Sequence, residues 1–159
     1  MNINNNGAHK RVLGVDLGDK RTGIAVSDLT GTLAGGLELI ESAGLTDCAK
    51  KVLITAEKYN VSEIVIGYPI NMNGTKGESS LKVEKFKEIL EKLLKPLNKE
   101  IKIILFDERL STSLAHVYMN QTGIKGKNRK QKVDMLSAQI ILQNYIDSKK
   151  GANIELPPL

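Results

Sequence analysis

The stretch Lys10-Arg-Val-Leu-Gly-Val-Asp-Leu-Gly-Asp-Lys-Arg-Thr-Gly-Ile-Ala-Val-Ser-Asp28 sets one carboxylate, Asp16, inside an apolar run. Val12, Leu13, Val15 and Leu17 surround it, which reads as a strand covered on both faces. An ionised group in such a place costs several kcal/mol without a partner, so a cation is expected beside Asp16. Gly18 to Gly23 carries turn signals, and Thr22 to Val26 resumes a β-branched and small apolar pattern. The segment therefore predicts two strands joined by a tight hairpin, with Asp16 near the end of the first. The plainer alternative is a turn carboxylate that caps Lys20 or a backbone N–H.

Working outward, 159 residues fit one domain with a single core. A formal charge of +5 and a pI near 9.2 permit a polyanionic partner without demanding one. Cys48 is the only cysteine, which excludes a disulfide framework or a cysteine metal cluster and fits a reducing compartment. The polar start, Met1 to Gly7, has no apolar h-region, and no run of apolar residues is long enough to span a bilayer. A soluble, cytoplasmic protein is expected. Tryptophan is absent and aromatic residues make up 4 %, so base-stacking platforms are not expected to dominate any nucleic-acid surface.

The rest of the chain reads as loose residues 1–8, one domain over 9–148 and a C-terminal tail over 149–159. Thr32 to Ile40 predicts a third strand that bends at Gly35-Gly36, so the chain opens with an antiparallel meander. Thr46 or Asp47 is placed to cap a helix with Ala49, Val52, Leu53 and Ala56 at helical spacing. Val61 to Tyr68 is a buried strand, and Pro69 to Gly74 a loop. Ser79 or Ser80 opens a second helix with Val83, Phe86, Leu90, Leu93 and Leu94 in one stripe, and Pro96 marks its exit. Ile101 to Arg109 is a fifth strand, which makes the second half βαβ crossovers and the whole a five-stranded mixed sheet flanked by helices. Ser111 or Thr112 starts a short helix. Gly123 to Lys132 reads as a mobile basic loop, and a last helix runs from about Val133 to Asp147.

Three acids occur where acids are least expected. Asp16 is one. Asp107 and Glu108 end the fifth strand, where functional groups of open parallel sheets collect, and alternation puts one on each face. Asp134 heads the line Ala138, Ile141 and Tyr145, the face of the last helix that packs inward. Each has a plain structural reading; for Asp134 it is the helix dipole, worth about 0.3 to 1 kcal/mol. Carboxylates from separate elements repel one another when brought together unless a divalent ion neutralises them. Oxygen ligands without His or Cys favour Mg²⁺ or Mn²⁺, one or two ions. Such ions align a water and polarise a phosphodiester, so the expected chemistry is hydrolysis of a nucleic-acid backbone. Lys20, Arg21 and Arg109 neighbour the acids, and Lys125, Lys127, Arg129 and Lys130 lead into Asp134, a set suited to phosphate contacts. Alternatively, Lys20 and Arg21 pair with Asp19 and Asp28 at the surface, where such pairs are worth little.

Gly14 to Asp28, Ile66-Gly-Tyr-Pro-Ile-Asn-Met-Asn-Gly74, Asp107-Glu-Arg-Leu-Ser-Thr112 and Asp134-Met-Leu-Ser-Ala138 together resemble the four signature segments of the YqgF (RuvX) family. The resemblance runs in order from about Arg11 to Ile146. It implies a ribonuclease-H-like fold and a Holliday-junction-resolvase-like nuclease that matures the 5′ end of precursor 16S rRNA. It implies Asp16, Glu108 and Asp134 as catalytic acids and metal ligands, with Asp107 the runner-up to Glu108, and Arg109 and Thr112 beside the site. Related resolvases usually bring four acids, whereas this chain brings three.

In the loop Gly67 to Gly74, Asn71 and Asn73 are candidate donors to a nucleic-acid backbone, against the reading of an ordinary strand-to-helix connection. His116 and Cys48 have no partners at catalytic or metal spacing. Met72, Met119 and Met135 read as packing or loop residues. Asp16-Leu-Gly18 also resembles the first phosphate loop of the actin-like and sugar-kinase ATPases, but those need a second domain that 159 residues cannot hold. Branched DNA is the alternative substrate to structured RNA, and a non-catalytic RNA-binding assembly factor the alternative to an enzyme. The oligomeric state, monomer or homodimer, is open.

Overall fold

The structure, a computed structural model, describes residues 10–107 and the backbone of 126–150, with side chains from 135 to 149. Five strands are present: β1 (Arg11–Asp16), β2 (Arg21–Ser27), β3 (Ala34–Glu41), β4 (Val61–Tyr68) and β5 (Lys102–Asp107). They form one sheet in the order β3-β2-β1-β4-β5. The two hairpin pairs, β1 with β2 and β2 with β3, are antiparallel, whereas β1 with β4 and β4 with β5 are parallel. This is the mixed sheet that the apolar runs and turn signals predict. The expected bend in β3 is a bulge: Ile24 faces Glu38 while Ala25 faces Gly36, leaving Leu37 without a counterpart.

Helices α1 (Leu45–Lys58) and α2 (Glu78–Leu94) cover one face, and α3 (Gly126–Lys150) the other. Alternation along β1 assigns the faces. Leu13 and Val15 join Ile24, Ile64, Ile66, Val52, Phe86 and Leu90 on the α1/α2 side. Val12 joins Ala25, Val65, Ala138, Ile141 and Leu142 on the α3 side. Fully buried aliphatic and aromatic side chains of this kind each contribute about 1.5–3 kcal/mol. Phe106 and Tyr145 meet edge to face within the second layer, 6.0 Å between ring centroids.

Helix boundaries depart from the sequence reading in three places. Neither Thr46 nor Asp47 caps α1; Gly44 does, at φ 108°, a conformation that favours glycine, and Asp47 reaches back to accept the Ala43 N–H at 2.9 Å. Neither Ser79 nor Ser80 opens α2; Gly77 is its cap, and Ser80 in the first turn accepts the Gly77 N–H while donating to the Pro69 carbonyl. The basic stretch expected as a loop over 123–132 is helical from Gly126, because Lys, Arg and Gln are good helix formers and no proline interrupts them. Lys127, Arg129 and Lys130 therefore stand on helix backbone. Strand β5 ends at Asp107, and the expected continuation to Arg109 and the short helix after Ser111 lie outside the described residues. No helix among the described residues is long and apolar enough to cross a membrane.

Gly14 sets how closely α3 approaches the sheet. A Cβ there would stand 2.8 Å from the Leu142 Cβ and 3.1 Å from the Ala138 carbonyl oxygen. Gly14→Ala is expected to destabilise the fold by about 1–3 kcal/mol through overpacking. Urea unfolding checks this, and an unchanged midpoint with an unchanged slope would show that the helix backs off without cost.

Candidate active site at the carboxyl edge of the sheet

Parallel pairing aligns the carboxyl ends of β1, β4 and β5 along one edge: Val15 is level with Ile66, Ile66 with Leu105, and Tyr68 with Asp107. Asp16, half-buried, is the last residue of β1 and shares the parity of Val12 and Gly14, so it belongs to the α3 face. Asp107 is exposed and shares the parity of Ile103 and Leu105, which pack on the α1/α2 side. The two acids stand on opposite faces. Each takes part in an interaction within the chain.

Helix α3 crosses the Asp16 face in a defined direction. Ala138 and Leu142 lie over Gly14, and further along the Tyr145 hydroxyl donates to Glu63 Oε1 at 3.0 Å, near the start of β4. The residues before Ala138 therefore head toward the carboxyl edge, and Asp134 is one turn before it. Burial and the Glu63 carboxylate together push the Tyr145 phenol up. Glu108, Arg109, Thr112 and Lys125 lie outside the described residues, as do the side chains of Lys127, Arg129, Lys130 and Asp134. Among the described residues, no three His, Cys, Asp or Glu side chains gather as a metal-holding group.

The hairpin after Asp16 is held tightly. A Cβ on Gly18 would fall 2.1 Å from the Arg21 carbonyl oxygen, so the turn accepts only glycine. Lys82 of α2 places its Nζ 2.6 Å from Asp19 Oδ1 and 3.4 Å from the Gly18 carbonyl oxygen. An exposed pair of this type contributes little to stability, but it fixes where the turn sits. Asp28 serves its own loop, accepting the Thr30 hydroxyl and the Thr32 and Leu33 N–H groups. Those hydrogen bonds, the Thr32 N–H foremost, hold its carboxyl below the usual range. Lys82 thus meets Asp19, and donors of its own loop meet Asp28. Lys20 is exposed, and Arg21 is half-buried opposite Glu41 at the start of β2.

The loop after β4 is a small closed structure. Ile70 bridges to Lys76 across its neck. Within it the Asn71 amide nitrogen donates to Thr75 Oγ1 at 3.0 Å, and Asn73 Oδ1 accepts from the Thr75 N–H at 3.0 Å and from its hydroxyl at 2.6 Å. Asn71 and Asn73, read from sequence as backbone donors to nucleic acid, here shape the loop. Two attachments fix it to α2: Ser80 to the Pro69 carbonyl, and a cluster in which Glu84 accepts the Tyr68 hydroxyl and pairs with Lys76 at 2.9 Å. None of these attachments was read from sequence, since only the fold brings β4 and α2 into register.

The strand order, the mixed pairing and the helices on both faces define the ribonuclease-H-like class of fold. Thermus thermophilus RuvC in complex with a Holliday junction substrate superposes with a TM-score of 0.56 at 15 % identity, covering 90 % of this chain and 97 % of that one. The fowlpox virus Holliday junction resolvase gives 0.54 at 16 % identity, over 87 % of this chain and 99 % of the other. Within that class, the RuvX family model, described as Holliday junction resolvase, matches residues 10–148, and the chain belongs to this family. A relative from Ruminiclostridium cellulolyticum is 45 % identical over 89 % of this chain and 96 % of its own length. One from Thermoanaerobacter pseudethanolicus is 41 % identical over 89 % and 99 %. Both carry the name pre-16S rRNA nuclease.

The Tyr68–Glu84–Lys76 cluster has a pH signature. The Tyr68 hydrogen bond and then Lys76 hold the Glu84 carboxyl down, Glu84 first pushes the Tyr68 phenol up, and Glu84 and then Tyr68 push the Lys76 ammonium up. A lowered carboxyl stabilises above its unfolded value and loses that as pH falls; a raised phenol or ammonium stabilises below its unfolded value and loses that as pH rises. The loop attachment is therefore strongest between roughly pH 4.5 and 10. In spectrophotometric titration, Glu84→Gln is expected to bring the Tyr68 transition down toward the ordinary phenol value; an unmoved transition would show that the cluster does not persist in solution.

Proposed function

We propose that this chain is a divalent-metal-dependent nuclease that cuts the phosphodiester backbone of structured RNA in 5′-end maturation of pre-16S rRNA, as the names of its relatives suggest. The observation that carries the reading is the position of Asp16, a carboxylate at the end of β1 on the face crossed by α3. Asp134 lies on that helix, one turn before the contact with Gly14. The proposal takes Asp16, Glu108 and Asp134 as metal ligands. It sets Asp107 aside because that residue has the parity of the opposite face.

An all-oxygen donor set of this kind suits Mg²⁺ or Mn²⁺ rather than zinc. Bound there, such an ion supplies Lewis-acid activation of water and of the phosphate. The residues of the chain do the rest. The glycine turn at Gly18 and its tie to Lys82 hold the chain just past Asp16, which restricts where that carboxylate can stand. Lys20, Arg21, Arg109, Thr112, Lys125, Lys127, Arg129 and Lys130 are assigned to phosphate contacts that orient the backbone without reading sequence. Asn71 contributes through the shape of its loop. The family description favours a second substrate, branched DNA, which the same backbone chemistry would serve.

Asp16→Asn is expected to keep the thermal unfolding profile, lose cleavage of a precursor rRNA fragment and of a four-way DNA junction in Mg²⁺ or Mn²⁺, and bind Mn²⁺ more weakly. Unchanged cleavage would remove Asp16 from the site. Binding that persists while wild type cuts neither substrate would leave an assembly factor in place of an enzyme. Replacing Lys127, Arg129 and Lys130 by alanine is expected to lower the salt dependence of RNA binding by about one unit of log-log slope per lost phosphate contact. An unaltered slope would take that helical segment out of the interface.

A further inference from the structure

Of the large apolar side chains exposed among the described residues, Met72 is the most open, at 76 %. It is not a frayed end. Met72 lies at the turn of the Ile70–Lys76 bridge, where the Asn71 N–H donates to the Thr75 carbonyl at 2.9 Å and the Gly74 N–H to the Asn71 carbonyl at 2.7 Å. Gly74 at φ 86° allows the tight return. Asn73 and Thr75 spend their side chains on one another, so the polar groups around Met72 face inward to the loop and the thioether faces out. A rigid loop that gives its outermost place to an apolar chain gains nothing from it in the isolated protein, because that area stays in water.

The loop has a specific neighbour. It follows β4 at Tyr68, and β4 lies beside β1, so it rises from the same sheet edge at which β1 ends in Asp16. Helix α2 fixes both at once: Ser80 and Glu84 hold the loop, and Lys82 between them holds the turn after Asp16. Lys20 in that turn is exposed. An apolar finger rising from the sheet edge that also carries the end of β1 and the turn with the exposed Lys20 fits a partner with charged rails and an apolar stack between them. Proteins that deform nucleic acids insert Phe, Leu, Ile, Met or Pro between base steps in this way, and an unbranched thioether is the most adaptable of these. The scarcity of aromatic residues leaves little to do the same work by stacking.

We infer that Met72 is an apolar wedge that enters the base stack where a duplex meets a single strand or a branch, unstacking the step next to the backbone presented to Asp16. The inference rests on the nuclease reading for the identity of the partner. It deepens that reading by assigning the preference for structured substrates to the loop rather than to the acids. Opening one step costs least where stacking is already interrupted, so the wedge selects junctions over uniform duplex.

The test uses the full chain carrying Asp16→Asn, so that substrate stays whole, and an RNA stem-loop with 2-aminopurine at the base of the loop. Binding is expected to raise 2-aminopurine fluorescence several-fold. Adding Met72→Ala should remove most of that rise while leaving the salt slope of binding unchanged, and Met72→Leu should restore it. In the chain with Asp16 intact, Met72→Ala should reduce cleavage of the stem-loop far more than that of a single strand of the same sequence. An equal rise with alanine, no rise despite saturated binding, or failure of leucine to restore it would each overturn the wedge. So would a change of oligomeric state in Met72→Ala with fluorescence unchanged, which would make the surface a contact between copies. Loss of the rise on Met72→Ala together with undiminished cleavage by Asp16→Asn would sustain the wedge and overturn the acid site.

Discussion

The close approach of α3 to β1 at Gly14 is the contact on which the placement of that helix across the sheet depends. With no side chain at Gly14, the helix backbone at Ala138 comes within reach of the strand, and Leu142 fills the space beside it. Side-chain hydrogen bonds fasten the helix to strands on either side of β1. Gln143 accepts the Ala34 N–H at 2.8 Å and Gln139 donates to the Ala34 carbonyl at 3.1 Å, so the outer strand β3 has part of its open backbone satisfied. At the far side Tyr145 and Lys149 hold Glu63 of β4. A helix pinned at three strands cannot slide by a turn, and the positions along it keep a fixed relation to the end of β1.

A second brace works from the other face. Ser80, Lys82 and Glu84 all lie within the first two turns of α2, yet they reach two different loops at the sheet edge. The individual bonds are exposed or half-exposed and add little to global stability. Their effect is local: they remove freedom from the turn after Asp16 and from the loop after β4. Freedom lost before a partner arrives does not have to be lost on binding, which is how a marginal interaction in stability terms becomes a useful one in recognition.

The parts of this fold that repeat with a short period were legible in the sequence. Apolar and β-branched runs bounded by turn signals marked β1, β2, β4 and β5, and the stripe Val83, Phe86, Leu90 and Leu94 marked the buried side of α2. Failures came where one residue stood for another in a local role. Both helices after the meander begin at glycines, Gly44 and Gly77, because a later side chain in the first turn reaches back, so a search for a Ser, Thr or Asp cap pointed to the wrong residue. The basic run before Asp134 looked like a loop because it lacked an apolar stripe, although its residues have good helix propensity and needed only continuation from a packed segment. The tie between Lys82 and Asp19 spans 63 residues of sequence, and no periodicity reports such a contact.

The choice between two adjacent acids shows where pattern ends and coordinates begin. Along a strand, alternation puts adjacent residues on opposite sides, but it does not say which side belongs to which. That needs the face of β5 to be known from its neighbours. Ile103 and Leu105 pack with the α1/α2 core, Ile104 and Phe106 with the α3 core, and the register aligns Tyr68 with Asp107. Asp107 therefore carries the parity of Leu13 and Val15, one step out of phase with Asp16. The parity of Asp107 is the ground on which the proposed ligand set takes Glu108, the acid the resemblance implies, in its place.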